Sequence, residues 1–148
     1  MVIRSHQTEE PAVDLEIALS KVCFIILKGR EFEAKEEASE NGSGSNPVDD
    51  AELEVLEDRD DDPVVEEITS LIDELTVDEQ VDLVALNWLG REEDNSAADW
   101  PDLRKQAAEA HNERTSQYLI GDPMLPDNLE AGLSILGLSC ARFEEQHL

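Results

Sequence analysis

The chain is short of positive charge, of aromatic rings and of cysteine, and it has no long apolar run. Eleven Lys and Arg face 37 Asp and Glu over 148 residues, a formal net charge of −26. A surface so acidic repels phosphate backbones and anionic headgroups, so neither nucleic acid nor a membrane is expected as a partner. The apolar run "VCFIIL", Val22 to Leu27, is far too short to span a bilayer. The opening "MVIRSHQTEEP" has no apolar signal-peptide region, and a cytoplasmic setting is expected. With only Phe24, Phe32, Phe143, Trp88, Trp100 and Tyr118 as aromatics, the core must be aliphatic. Two cysteines are too few for the disulfide framework of a small secreted domain, and Cys23 in its apolar run reads as a small buried hydrophobe.

What remains is enough apolar residue, 40%, for one domain with a real core. The acidity concentrates between Glu31 and Glu67, where sixteen carboxylates are opposed only by Lys35 and Arg59. The same stretch holds "SENGSGSNP", Ser39 to Pro47, whose Gly, Ser and Asn predict a flexible loop. The chain is therefore divided into an N-terminal extension (1–19), a first helix (20–37), a flexible acidic linker (38–61) and a main helical block (62–148). The block is expected to pack with the first helix as one domain.

Val22, Ile25, Ile26 and Phe32 recur at helical spacing, with Ser20 as expected N-cap and an end near Glu37. Just upstream, Val13, Leu15, Ile17 and Leu19 alternate with polar or small residues, the pattern of a short edge strand without an evident partner. Beyond the linker, Asp62-Pro63 opens a helix whose stripe is Val64, Val65, Ile68, Leu71, Ile72 and Leu75. "TVDE", Thr76 to Glu79, is a capping box, and its helix is expected to stop at Gly90. That helix is apolar most of the way round and must be covered on several sides, a second copy being one possible cover. "SAAD", Ser96 to Asp99, opens a longer helix that is expected to run to just before Gly121. Asp127 with Glu130 opens another that ends at Gly137, and Ser139 caps a terminal turn through Phe143. The expected fold is all-α, a single compact domain of five to six helices.

No chemistry-bearing motif is complete. Asp58, Asp60 and Asp62 take the first three ligand positions of an EF-hand loop, but the obligatory Gly and the closing Glu are Pro63 and Thr69. His6, His111 and His147 are far apart, and Cys140 with His147 is a single ligand pair; no metal site and no cofactor are expected. Phosphate-loop, dinucleotide and nucleophile-elbow signatures are missing, and nothing brings Cys23 to His111 as nucleophile and base. No catalytic residue is assigned. The constellation worth keeping is His111, Arg114, Thr115 and Tyr118, spaced i, i+3, i+4 and i+7 on one expected helix face. Such a face can hold a small anion, or its cations can be spent on carboxylates of neighbouring helices.

The segments "KVCFIILKGREFEAK", "GSNPVDD", "VLEDRDDDP", "DEQVDLVALNWLGR" and "AHNERTSQYLIGDPMLPDNLEAGLSILGLSC", in this order, resemble a family of small acidic bacterial proteins catalogued only as a domain of unknown function, the one numbered 3775. The resemblance runs from Ser20 to about Phe143. It implies a bacterial cytoplasmic setting and carries no activity, substrate or site residue. Two functions follow as expectations. The first is a non-enzymatic interaction domain whose acidic surface docks on a basic protein partner. The alternative is a small-molecule-binding or enzymatic helical domain that uses the His111, Arg114, Tyr118 face; whether those side chains line a pocket or sit in ion pairs separates the two.

Overall fold

The computed structural model describes residues 14–42 and 63–141. These form six α-helices: α1 (Leu19–Gly42), α2 (Pro63–Glu74), α3 (Val77–Arg91), α4 (Trp100–Ala110), α5 (Thr115–Ile120) and α6 (Leu125–Ile135). A 3-10 turn, Ala97–Asp99, precedes α4. No described residue is in a strand, and the fold is all-α.

Helix α3 is the hub. It packs along α6 and α4 and touches α5, while α1 lies across α6 and α2. Val81, Leu83, Val84, Leu86 and Leu89 of α3 are all buried, as an all-round apolar helix requires. Each such side chain contributes about 1.5–3 kcal/mol of transfer free energy. The cover therefore comes from the same chain, and burying α3 does not call for a second copy. From α1, Val22, Ile25 and Ile26 enter the same core, which runs from Ile17 to Cys140.

The local signals that carry their own hydrogen bonds hold. In the Thr76–Glu79 box the Thr76 amide donates to Glu79 Oε1 at 2.8 Å, and the Glu79 amide to Thr76 Oγ1 at 3.2 Å. The Ser96–Asp99 box is also closed on both sides. Pro63 begins α2, and Val64, Val65, Ile68 and Ile72 face inward. At the end of α6, Gly137 has φ +83°, the Leu138 amide donates to Leu133 O at 2.8 Å and the Gly137 amide to Ser134 O at 2.9 Å, a Schellman turn.

Five expectations are corrected. Asp14 to Ala18 is not a strand: no described residue is one, and the Glu16 and Ile17 amides bond to a side chain. The Ile17 amide donates to Asp82 Oδ2 at 3.2 Å and the Glu16 amide donates to the same oxygen, so a side chain of α3 ties down the segment that leads into α1. Ser20 is not the N-cap; the first turn hangs on Ala18 O, which accepts from Lys21 and Val22. Helix α1 runs on to Gly42, past both Glu37 and the start of the expected loop at Ser39. Gly90 does not stop α3, which continues to Arg91, because this glycine serves a helix crossing. Asp127 does not cap α6, whose N-cap is Met124; with Glu130 it instead takes Arg30 of α1 at 3.1 and 2.6 Å. The rest of the expected loop to Pro47, Asp62, the "DRDDD" run, Phe143, His6 and His147 lie outside the described residues.

Cys23 is not a free buried thiol. It is bonded to Cys140, joining α1 to the segment after α6 across a sequence separation of 117. Neither residue can act as a nucleophile or metal ligand in this form. Among the described residues no helix is long and apolar enough to cross a membrane, and no cluster of metal-ligating side chains is present.

Candidate functional site

The expected single helix from Ser96 to Gly121 is broken, and the break makes the site. Helix α4 ends at Ala110, and His111 takes an extended conformation at its C-cap. Asn112 then stabilises the turn: its Oδ1 accepts from the Arg114 amide at 2.7 Å, and its carbonyl accepts from Thr115 Oγ1 at 3.0 Å. An asparagine that folds its side chain onto the backbone two residues on is a turn former, and it competes with helix continuation here. Helix α5 restarts at Thr115.

The four candidate residues consequently do not share one helix face, yet all four line one hollow of about 460 Å³. Its walls are Val84 and Trp88 of α3, Ala107 and Ala110 of α4 and Tyr118 of α5. Volume and mostly apolar lining suit a small organic molecule, with few polar groups to orient it. Trp88 also forms one side of a second, shallower cleft with Arg91, Asn95 and Leu103, so the indole is the partition between the two.

The polar groups of the hollow are directed by bonds made behind them. Gln80 Nε2 donates to Ile72 O at 2.8 Å, and that carbonyl can only accept. The other end of the amide, Oε1, therefore faces His111 Nε2 at 2.6 Å as an acceptor. The proton of His111 is thereby placed on Nε2, and in the neutral ring Nδ1 is left as a hydrogen-bond acceptor. Trp88 Nε1 donates to the Tyr118 hydroxyl at 2.7 Å, which leaves the phenol proton free to be given away. Thr115 is spent: it is buried, and its hydroxyl proton goes to Asn112.

Arg114, like the exposed Arg91 and Lys105, stands apart from the paired cations. Lys21, Lys28, Arg30 and Arg104 each meet a carboxylate within 4.0 Å: Lys21 on Glu79, Lys28 on Glu31 and Glu67, Arg30 on Asp127 and Glu130, and Arg104 on Asp82. The Lys28 ammonium is held above its ordinary pKa, first by its bond to Glu67. The guanidinium of Arg114 makes no ion pair among the described residues and lines the hollow.

A family model described as a protein of unknown function, DUF3775, matches residues 65–138. The chain belongs to this family. No curated protein and no solved structure matches it. The matched stretch takes in nearly all of α2 and the whole of α3 to α6, hence every residue of the hollow. Helix α1, Cys23 and Cys140 lie outside it, although α1 completes the core. The DUF3775 description assigns no activity, so the hollow must be read on its own chemistry.

Trp88 and Gln80 were not singled out in the sequence, Trp88 because an aromatic in a mostly apolar helix reads as core. The signal for Gln80 was absent, since its partners Ile72 and His111 lie on other elements. Asn112 carries a signal that the expected unbroken helix passes over, since asparagine is a turn former.

Proposed function

We propose that this DUF3775 domain binds a small organic anion in the hollow between α3, α4 and α5. The observation that carries the reading is Arg114. In a chain with 37 carboxylates, a guanidinium that lines an apolar-walled cavity and meets none of the described ones is available to a ligand. Its planar donor fork suits a carboxylate held by two parallel bonds. Trp88 and Tyr118 offer ring faces to a flat apolar body.

The test is calorimetric titration with 2-naphthoate and, in parallel, with 2-naphthamide, which keeps the shape and loses the charge. The carboxylate should bind roughly 10-fold or more tightly than the amide, the difference expected of a charged hydrogen bond, and R114Q should remove that preference. Equal binding of acid and amide, or an unchanged preference in R114Q, would contradict the reading.

The exposed carboxylates support a second reading, docking on a basic protein partner. Asp73, Glu74, Asp78, Glu92, Glu93 and Asp94 are exposed, and the paired cations are already taken. Complementary charge of this kind raises association rate and selectivity. Capture of a defined basic protein that weakens steeply with sodium chloride, and that is unaffected by R114Q, would favour this surface over the hollow as the principal site.

A further inference from the structure

We infer that the ligand of the hollow carries, besides its carboxylate, an N–H or O–H group on the apolar body that donates to His111 Nδ1. This rests on the reading of the hollow as an anion site and goes beyond it to the ligand's second polar contact.

The argument is one of hydrogen-bond accounting. Ile72 O, the Gln80 amide and His111 form a directional chain in which each bond fixes the next: a carbonyl that only accepts, an amide whose orientation follows, an imidazole whose proton is then on Nε2. A histidine held through one nitrogen by a backing residue has its ring orientation and tautomer set for the other nitrogen. Gln80 does not line the hollow whereas His111 does, so the bond to Gln80 lies behind the ring. Beside the exposed carboxamides of Asn112 and Gln117, which also line the hollow, His111, Arg114 and Tyr118 offer a ligand two donors, the Arg114 guanidinium and the Tyr118 hydroxyl proton, and one acceptor whose direction is fixed from behind, Nδ1. A plain apolar acid would use the donors and leave the acceptor unmatched. A hydroxy- or amino-substituted aromatic carboxylate matches all three. Gln80 is then a positioning residue, since it acts on the ligand only through His111.

The experiment compares 2-naphthoate, the positional isomers of hydroxy-2-naphthoate and the corresponding fluoro-2-naphthoates by calorimetry in one buffer. The fluoro compounds keep a polar substituent and lack the proton. At least one hydroxy isomer should bind roughly 3- to 10-fold more tightly than its fluoro counterpart, the effect of one neutral hydrogen bond. Q80L frees the ring and its tautomer and should weaken that advantage. H111F removes the acceptor directly and gives the same comparison should Q80L disturb the end of α2. If 2-naphthoate binds through Arg114 and no hydroxy isomer gains over its fluoro partner, this inference fails while the anion site stands. A hydroxyl advantage that survives in H111F also overturns it. If 2-naphthoate does not bind at all, both fail together.

Discussion

Gly90 and Gly132 face one another where α3 crosses α6. A Cβ on Gly90 would sit 1.9 Å from Asn128 O and 2.6 Å from Gly132 N, and one on Gly132 would sit 2.5 Å from Leu86 O. Backbone meets backbone here, so no flexible side chain can give way. Alanine at either position must separate the two helices that form the largest interface of the core. G90A and G132A are each expected to cost about 1–3 kcal/mol or more, measured by urea denaturation, even though alanine is the better helix former. An unchanged midpoint would mean the helices are not this close.

Asp82 is fully buried and has all of its contacts supplied by other elements. Arg104 of α4 donates to Oδ1, and the Glu16 and Ile17 amides donate to Oδ2. One carboxylate thus anchors both the chain entry and α4 to the hub. D82A strands a guanidinium and two amides and is expected to destabilise by about 3–5 kcal/mol, the range for breaking a buried pair. R104A should cost a similar amount by leaving the carboxylate uncompensated. A loss within a few tenths of a kcal/mol in both variants would contradict this role.

The elements legible in the sequence were those whose cause is local. Thr76 with Glu79, Ser96 with Asp99, Pro63 and Gly137 each act within one turn, and each does what its residue type predicts. The failures came from residues whose role is set at a distance. Gly90 read as a stop because a glycine needed for close approach and one needed for a turn look alike without the partner helix. Asp127 read as a cap because its ligand, Arg30, lies on α1. The partners of Asp82 lie on α4 and ahead of α1, and the Cys23–Cys140 bond spans 117 positions. At the candidate site, the i, i+3, i+4, i+7 face does not exist, and Asn112 folds the same four side chains around a hollow instead.

The Thr76–Glu79 box makes a pH-dependent contribution. The Glu79 carboxyl is held below its ordinary value of 4.5, first by the Thr76 amide and then by the charge of Lys21, against the opposing effect of burial. A carboxyl depressed in the folded state stabilises fully above the unfolded value and loses that contribution as pH falls through the folded one. The stability difference between wild type and E79Q, in which the amide can still accept from Thr76, should be greatest above about pH 4.5 and shrink below it. A difference that does not change with pH would assign the contribution to geometry alone. T76A removes the other half of the box and should cost about 1 kcal/mol at neutral pH.

Reduction of Cys23–Cys140 releases a loop closed across 117 positions. A cross-link of that span is expected to contribute about 2–4 kcal/mol through the unfolded chain. Thermal melts with and without a reductant should differ accordingly, and C23S/C140S should reproduce the reduced protein. Such bonds persist in oxidising surroundings, so acid-quenched alkylation of protein taken from its native cells would report the compartment as well as the bond. Coincident melts with full alkylation of both thiols beforehand would contradict the bond.

The central claim, that the hollow beside Arg114 takes a small organic acid, is tested most directly by the two indole N–H signals in a nitrogen-edited NMR spectrum. Trp88 lines the hollow and donates its Nε1 proton to Tyr118, whereas Trp100 is buried outside it and serves as an internal reference. Titration with 2-naphthoate should shift the Trp88 indole signal in a saturable manner and leave that of Trp100 in place, with R114Q moving the midpoint to higher concentration. Equal movement of both signals, or no movement of Trp88 at a concentration that saturates any other part of the protein, would contradict the account.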